Sequence, residues 1–232
     1  MNKLQTWNAW DLSPEHSILL VGEGNLSFSC SVLESLGDGS HLIATCFDKE
    51  SILLEKYPDA SESISLIKDY EGTVLFGIDA TRLHCIKSLK SRSFDRIIFN
   101  FPHVGAGIKD QDRNILVNQK LLLSFFSSAV KVLAERGCIL VSLKLGLPYD
   151  EWRIKKQADA AGLATARSFA FVPTDYPGYA HRRTLGFTPG ISAKDNEELK
   201  ECRTYCFVKK EIKQDVEKGK KKRLRKEDDE ED

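Results

Sequence analysis

Four polar signals in this chain each lie just past an apolar run. Gly22-Glu23-Gly24-Asn25 follows Ile18 to Val21, Asp48 follows Leu42 to Phe47, Asp79 follows Thr73 to Gly77, and Asn100-Phe101-Pro102-His103 follows Phe94 to Phe99. If the runs are strands of one parallel sheet, their carboxyl ends share the crevice where open α/β sheets bind ligands. Gly22-x-Gly24 permits a tight turn and close approach of a ligand to the backbone. The third glycine of a dinucleotide fingerprint is absent, and Ser27 stands in its place. That turns the reading from a pyrophosphate toward a donor without phosphates, and S-adenosylmethionine is such a ligand. Asp48, roughly 20 residues past the glycines, is placed to accept from both ribose hydroxyls. It is equally placed to cap the helix beginning at Glu50. Asp79 is placed for adenine, or it starts the next helix together with Thr81.

The Asn100-Phe101-Pro102-His103 turn discriminates most sharply. Amino-directed methyltransferases carry an Asn/Asp-Pro-Pro-aromatic turn here, which offers an amide oxygen and a stacking ring to a planar nitrogen nucleophile. This chain keeps Asn100 and Pro102, places Phe101 where the first proline would be, and ends in His103. An imidazole with an unperturbed pKa near 6.5 is also suited to accept a proton. Such a pocket holds a base by stacking and points a ring nitrogen at the methyl group. As a structural feature alone, the turn would be a rigid corner with a core phenylalanine.

A late irregular segment, Pro173 to Arg183, adds Tyr176, Tyr179, His181, Arg182 and Arg183. Aromatic and basic residues on a loop are equipped to stack on bases and hold phosphates. Lys144, after the fifth apolar run, is either a phosphate contact or a solvated surface charge.

The elements that must position these groups alternate in type. Strands are expected over His16–Val21, Leu42–Phe47, Thr73–Gly77, Phe94–Phe99 and Cys138–Leu143, with two more at Arg167–Val172 and Thr204–Val208. Helices are expected over Asn25–Leu36, Glu50–Lys56, Ser63–Asp69, Arg82–Leu89, Leu116–Leu133 and Tyr149–Ala161. The alternation predicts an α/β fold, Rossmann-like, with a mostly parallel sheet covered on both faces. The last two strands lack a long helix between them and are expected as an antiparallel edge.

The 232 residues suffice for one large domain. It is expected over residues 15–208, after an N-terminal extension (1–14) and before a charged, disordered tail (209–232). Net charge is zero, with 34 basic and 34 acidic residues, yet residues 218–226 are nearly all basic and 227–232 all acidic. Six scattered cysteines form no Cys-x-x-Cys pair, so no metal is expected and a reducing compartment is. No secretory signal or membrane-spanning run is read from the sequence.

Three segments in order, Gly22 to Ser29, Phe94 to His103 and Tyr176 to Thr184, closely resemble the eukaryotic large-subunit ribosomal RNA uridine-N3 methyltransferases. In animals a similar domain is fused to a ferredoxin-fold anticodon-binding domain, and this chain resembles the short form. The resemblance covers residues 15 to 208. It implies a class I methyltransferase fold, S-adenosylmethionine as donor, ribosomal RNA or a pre-ribosomal particle as partner and a nucleolar setting; a monomer is expected. It places Gly22, Glu23, Gly24 and Asn25 at the donor, Asp48 at its ribose and Asp79 at its adenine. Asn100, Phe101, Pro102 and His103 would face uracil. Two other readings remain at this point: a nucleolar RNA-binding assembly factor without catalysis, and a nicotinamide-dependent reductase.

Overall fold

The protein is described by a computed structural model covering residues 9–105, 107–108, 110–182, 184, 199 and 201–210. Seven strands form one sheet: β1 (Ile18–Val21), β2 (Leu42–Thr45), β3 (Thr73–Leu75), β4 (Phe94–Asn100), β5 (Leu133–Lys144), β6 (Leu163–Ala170) and β7 (Cys202–Lys209). Their order is β3-β2-β1-β4-β5-β7-β6. The first five run parallel, and β7 is antiparallel to both β5 and β6. The chain winds outward from β1 in both directions, so the crevice lies between β1 and β4, the topological switch point of such sheets.

Alternate residues of β1 explain why both faces must be covered. Ile18 and Leu20 pack with Phe28, Val32 and Leu33 of α1 (Ser27–Leu36), Leu53 of α2 (Glu50–Lys56), and Ile64 and Ile67 of α3 (Ala60–Asp69). Leu19 and Val21 face Leu122, Phe125 and Phe126 of α4 (Gln111–Ala129) and Ile154 of α5 (Ile154–Ala160) across the other face. A strand apolar on both sides is the pattern of a buried parallel sheet.

Several elements differ from their sequence expectation. The helix expected over Arg82–Leu89 is a 3-10 turn, Ala80–Cys85, kinked at Arg82. The helix expected over Leu116–Leu133 starts at Gln111, because Asp110 caps it by accepting from the Arg113 N–H. It stops at Ala129, and Leu133 already belongs to β5. Gly137 therefore lies inside a strand, where a Cβ would meet the carbonyls of Phe94 and Asp95. The helix expected over Tyr149–Ala161 is a 3-10 turn (Tyr149–Trp152) and then α5, broken where Arg153 takes a left-handed conformation, φ 51° and ψ 49°.

The folded body also begins earlier than residue 15. Trp10 is fully buried. Its indole Nε1 donates to the Tyr176 hydroxyl at 2.9 Å, and its ring sits 5.5 Å from those of both Phe28 and Phe169. Nearby, Asp11 pairs with the buried Arg96 guanidinium at 2.5 Å. At the other end, the Lys210 N–H donates to the Gly162 carbonyl. The remaining tail, residues 211–232, lies outside the described residues, as do residues 1–8. Trp10→Ala should cost ~3–5 kcal/mol of stability, the range for removing a buried large aromatic ring, measured by urea unfolding. A loss of about 0.5 kcal/mol, as at an ordinary surface position, would show that this segment is peripheral.

Candidate functional site

The four strand-end signals meet around one cavity of about 540 Å³. Gly22, Glu23, Gly24, Asn25, Asp48, Asp79, Asn100, Phe101 and His103 all line it. Its size falls in the roughly 300–1,000 Å³ range of small-molecule sites. The turn after β1 is set by Gly22, whose φ is +66°, and a Cβ there would collide with the Phe99 ring. At Gly24 the nearest group to a Cβ would be the Arg182 side chain, 3.4 Å away.

Glu23 does not point freely into solvent. Its carboxylate accepts from the Ser29 N–H at 3.1 Å and from the Ser29 hydroxyl at 3.0 Å, at the start of α1. Burial raises its pKa to about 7, with the two Ser29 bonds pulling the other way. Burial, and then the Glu23 carboxylate, hold the Tyr179 hydroxyl well above its ordinary range.

Asp48 carries no cap: Lys49 is the residue before α2 and makes no side-chain cap bond. Its carboxylate instead accepts from Lys56 Nζ at 2.8 Å. Asp79 does cap the following turn, accepting from the Thr81 N–H at 2.8 Å and its hydroxyl at 2.7 Å. It still lines the cavity, so capping and ligand contact are compatible there.

Asn100 ends β4 with its amide oxygen already taken. Ser142 on β5 donates to Oδ1 at 2.7 Å, and Ser142 in turn meets the Thr204 hydroxyl of β7 at 2.9 Å. The register places Asn100 opposite Ser142 and Ser142 opposite Thr204, so three neighbouring strands carry one polar row through an apolar sheet. Nδ2 of Asn100 is buried without a partner among the described residues. The amide oxygen, expected from the sequence to be presented, is thus engaged by Ser142, and the unpaired group at this strand end is a buried N–H.

His103 is turned in a similar way. The Gly105 N–H donates to His103 Nδ1 at 2.8 Å. A neutral ring whose Nδ1 accepts must carry its proton on Nε2. Burial, and then the Lys144 cation, lower its pKa. The loop that holds it is tied down by buried Asn118, whose Oδ1 accepts from the Val104 N–H.

A second cavity of about 270 Å³ adjoins the first. Phe101, His103, Gly105, His181, Arg182 and Thr184 line both. Pro102, Lys144, Tyr149 and Trp152 line only the smaller one.

The late loop is a strap across these cavities. The Ser27 hydroxyl accepts from the Ala180 N–H at 3.0 Å, and Arg182 Nη2 binds Asp59 at 2.9 Å. The same Asp59 oxygen accepts from Asn25 Nδ2 at 2.8 Å. Arg182, expected as a phosphate contact, is thus turned inward. Tyr176, expected to stack on a base, is 3% exposed and packs within the Trp10 cluster. His181 lines both cavities, with Nδ1 3.2 Å from the Tyr179 hydroxyl. Arg183 lies outside the described residues. The sequence reading missed Phe47, Lys56, Tyr149 and Trp152; the exposed aromatic Phe47, directly before Asp48, was the one with a readable signal. No group of three metal-ligating side chains occurs among the described residues.

Residues 19–183 match the family model described as "BMT5-like: rRNA (uridine-N3-)-methyltransferase BTM5-like". The chain is 35% identical over 196 residues to the Arabidopsis thaliana "Heavy metal-associated isoprenylated plant protein 41", spanning 84% of this chain but only 37% of that protein. It is 35% identical to the Arabidopsis thaliana "Uncharacterized protein At4g26485", covering 84% of this chain and 94% of that one. It is 32% identical to the Saccharomyces cerevisiae "25S rRNA (uridine(2634)-N(3))-methyltransferase", covering 78% and 70% respectively. Among solved structures, a putative methyltransferase from Thermoplasma acidophilum superposes with a TM-score of 0.52 at 13% identity, over 90% of this chain and 75% of that one. That likeness shows the class I methyltransferase fold.

A carboxyl raised by burial favours folding at low pH and loses that contribution as it ionises. Relative to Glu23→Gln, the parent should lose thermal stability as pH rises from about 4.5 through about 7. Parallel Tm–pH curves for the two would place the titration elsewhere.

Proposed function

The chain belongs to the BMT5-like family of rRNA (uridine-N3-)-methyltransferases, and on that footing we propose that it transfers a methyl group from S-adenosylmethionine to N3 of a uridine in large-subunit ribosomal RNA. The observation that supports this reading is the pair of adjoining cavities with a common wall. The larger has a glycine turn, a ribose-type carboxylate at Asp48 and a second carboxylate at Asp79. The smaller is walled by Pro102, Tyr149 and Trp152, with room for one planar heterocycle.

In the larger cavity, Gly22 and Gly24 let the donor's amino-acid end approach the backbone, and Glu23 supplies a carboxylate at that turn. Asp48 would hold the ribose, sharing its charge with Lys56. Asp79 and Phe47 would flank the adenine. The donor supplies an electrophilic methyl on a sulfonium, and the protein's task is alignment of a nitrogen with it. N3 is occupied in a base pair, so the target uridine must be unpaired or flipped out. Phe101 and His181, edge to face at 5.0 Å, stand where such a base would pass from one cavity to the other. The strap then acts on the donor cavity as a cover, and phosphate contact falls to other cations, among them Lys144.

The basic residues 218–226 suit nuclear import and nonspecific phosphate contact. Removing residues 211–232 should move the protein out of the nucleolus and flatten the salt dependence of RNA binding; unchanged distribution and salt slope would dismiss that role.

The decisive experiment is nucleoside analysis of large-subunit rRNA from cells lacking the chain, paired with an assay of the purified protein and methyl-labelled S-adenosylmethionine. One N3-methyluridine should disappear from the rRNA, and the purified protein should restore it. Intact N3-methyluridine in the deletion strain, with no label transferred, would leave an RNA-binding assembly factor as the reading.

A further inference from the structure

Methylation at N3 requires loss of the imide proton, and the residue best suited by type to take it is His103. The geometry argues against that role. Nδ1 of His103 is occupied by the Gly105 N–H, so the neutral ring has a hydrogen on Nε2 and no lone pair to offer there. Asn100 offers the same polarity: Ser142 holds its oxygen, and its unpartnered buried Nδ2 carries hydrogens. Trp152, on a wall of the smaller cavity, also has a buried Nε1–H without a partner among the described residues. No carboxylate lines the smaller cavity among those residues, and a lysine, Lys144, does.

Resting on the uridine-N3 reading, we infer that the site activates its substrate by binding the uracil imide anion through N–H donors to the carbonyl oxygens beside N3, with Asn100 Nδ2 and His103 Nε2 as donors rather than a protein base. The N3 proton leaves to solvent water. The N3 lone pair then attacks the methyl carbon, and the carbon–sulfur bond breaks with its electron pair staying on sulfur as a thioether. Donors aimed where charge collects lower the barrier without any proton being passed to the protein. The low pKa of His103 agrees, because a cationic ring is not needed and Lys144 already supplies positive charge.

The same polarity selects the base. Uracil flanks N3 with two acceptors, whereas cytosine puts an amine in place of one, which would face a donor and leave both unpaired. Asn100 then acts directly on substrate, while Ser142 and Thr204 are positioning residues that hold the amide in place.

The test uses single-turnover methylation of rRNA by the full chain, with donor affinity measured for each variant. His103→Ala should slow transfer by about 10–100-fold, the worth of one hydrogen bond to a charged group. His103→Gln, which retains an N–H near the Nε2 position but cannot serve as a base, should recover to within about tenfold of the parent. Both should follow the parent's pH profile. Asn100→Asp, which swaps the inward N–H for a carboxylate oxygen, should be slower than Asn100→Ala at equal donor affinity. The inference is overturned if His103→Gln is as slow as His103→Ala and loses the parent's pH dependence, as a lost base would require. It is equally overturned if Asn100→Asp matches the parent, as the amide-oxygen arrangement would require. A parent protein that forms no N3-methyluridine would instead remove the functional reading before any variant is compared.

Discussion

A single carboxylate oxygen joins the two halves of the site. Oδ2 of Asp59 accepts from Asn25, in the turn after β1, and from Arg182, in the strap 123 residues further along the chain. Asp59 stands immediately before α3, where a carboxylate would ordinarily cap the helix, and it makes no cap bond. Its Oδ2 serves a tertiary junction instead. Without that junction the strap would lose a charged tie beside the Ser27–Ala180 bonds and the aromatic cluster. The larger cavity would then lose its cover and the smaller one a wall. The Arg182 side chain is 13% exposed and that of Asp59 41%, so salt weakens the pair only in part.

The second organising feature is the hydroxyl row of Thr204, Ser142 and Asn100. Ser142 and Thr204 are fully buried in strands that are otherwise apolar. Hydroxyls in such places must be bonded, and here they satisfy each other in sequence and terminate on the site. The row converts the pairing register of β4, β5 and β7 into the orientation of one amide. Shifting that register by one residue would turn these side chains to the other face, so strand pairing and site polarity are a single constraint.

Much of this was legible in the sequence, and the exceptions have physical reasons. The strand ends and the glycine turn could be read because apolar runs and Gly-x-Gly are local signals. The 3-10 turn at Ala80–Cys85 reads as a longer helix because Leu83, Ile86 and Leu89 recur every three residues, a spacing both helix types share. Leu133 was assigned to a helix because an apolar residue continuing an amphipathic face carries no mark of the strand it opens. The packing of Arg182 and Tyr176 is not readable for another reason. A guanidinium suited to a phosphate is equally suited to a carboxylate, and a tyrosine that stacks on a base looks like one that binds Trp10. The partners, Asp59 and Trp10, are 123 and 166 residues distant, beyond what local pattern can reveal. The amide polarity of Asn100 was illegible likewise, since it depends on hydroxyls from two other strands.

The insertion of β7 between β5 and β6 has a temporal consequence. The chain is made from its amino end, and β1 to β5 with their helices can pair as they emerge. Among the seven described strands, the one that carries Thr204 comes last, and it fills a slot inside the sheet rather than adding to its rim. Until it arrives, Ser142 has no Thr204 to bond and β6 has no neighbour on that side. A growing chain therefore carries both cavities' lining residues well before it has a working arrangement of them. The arrangement is complete only when the seventh strand closes the gap.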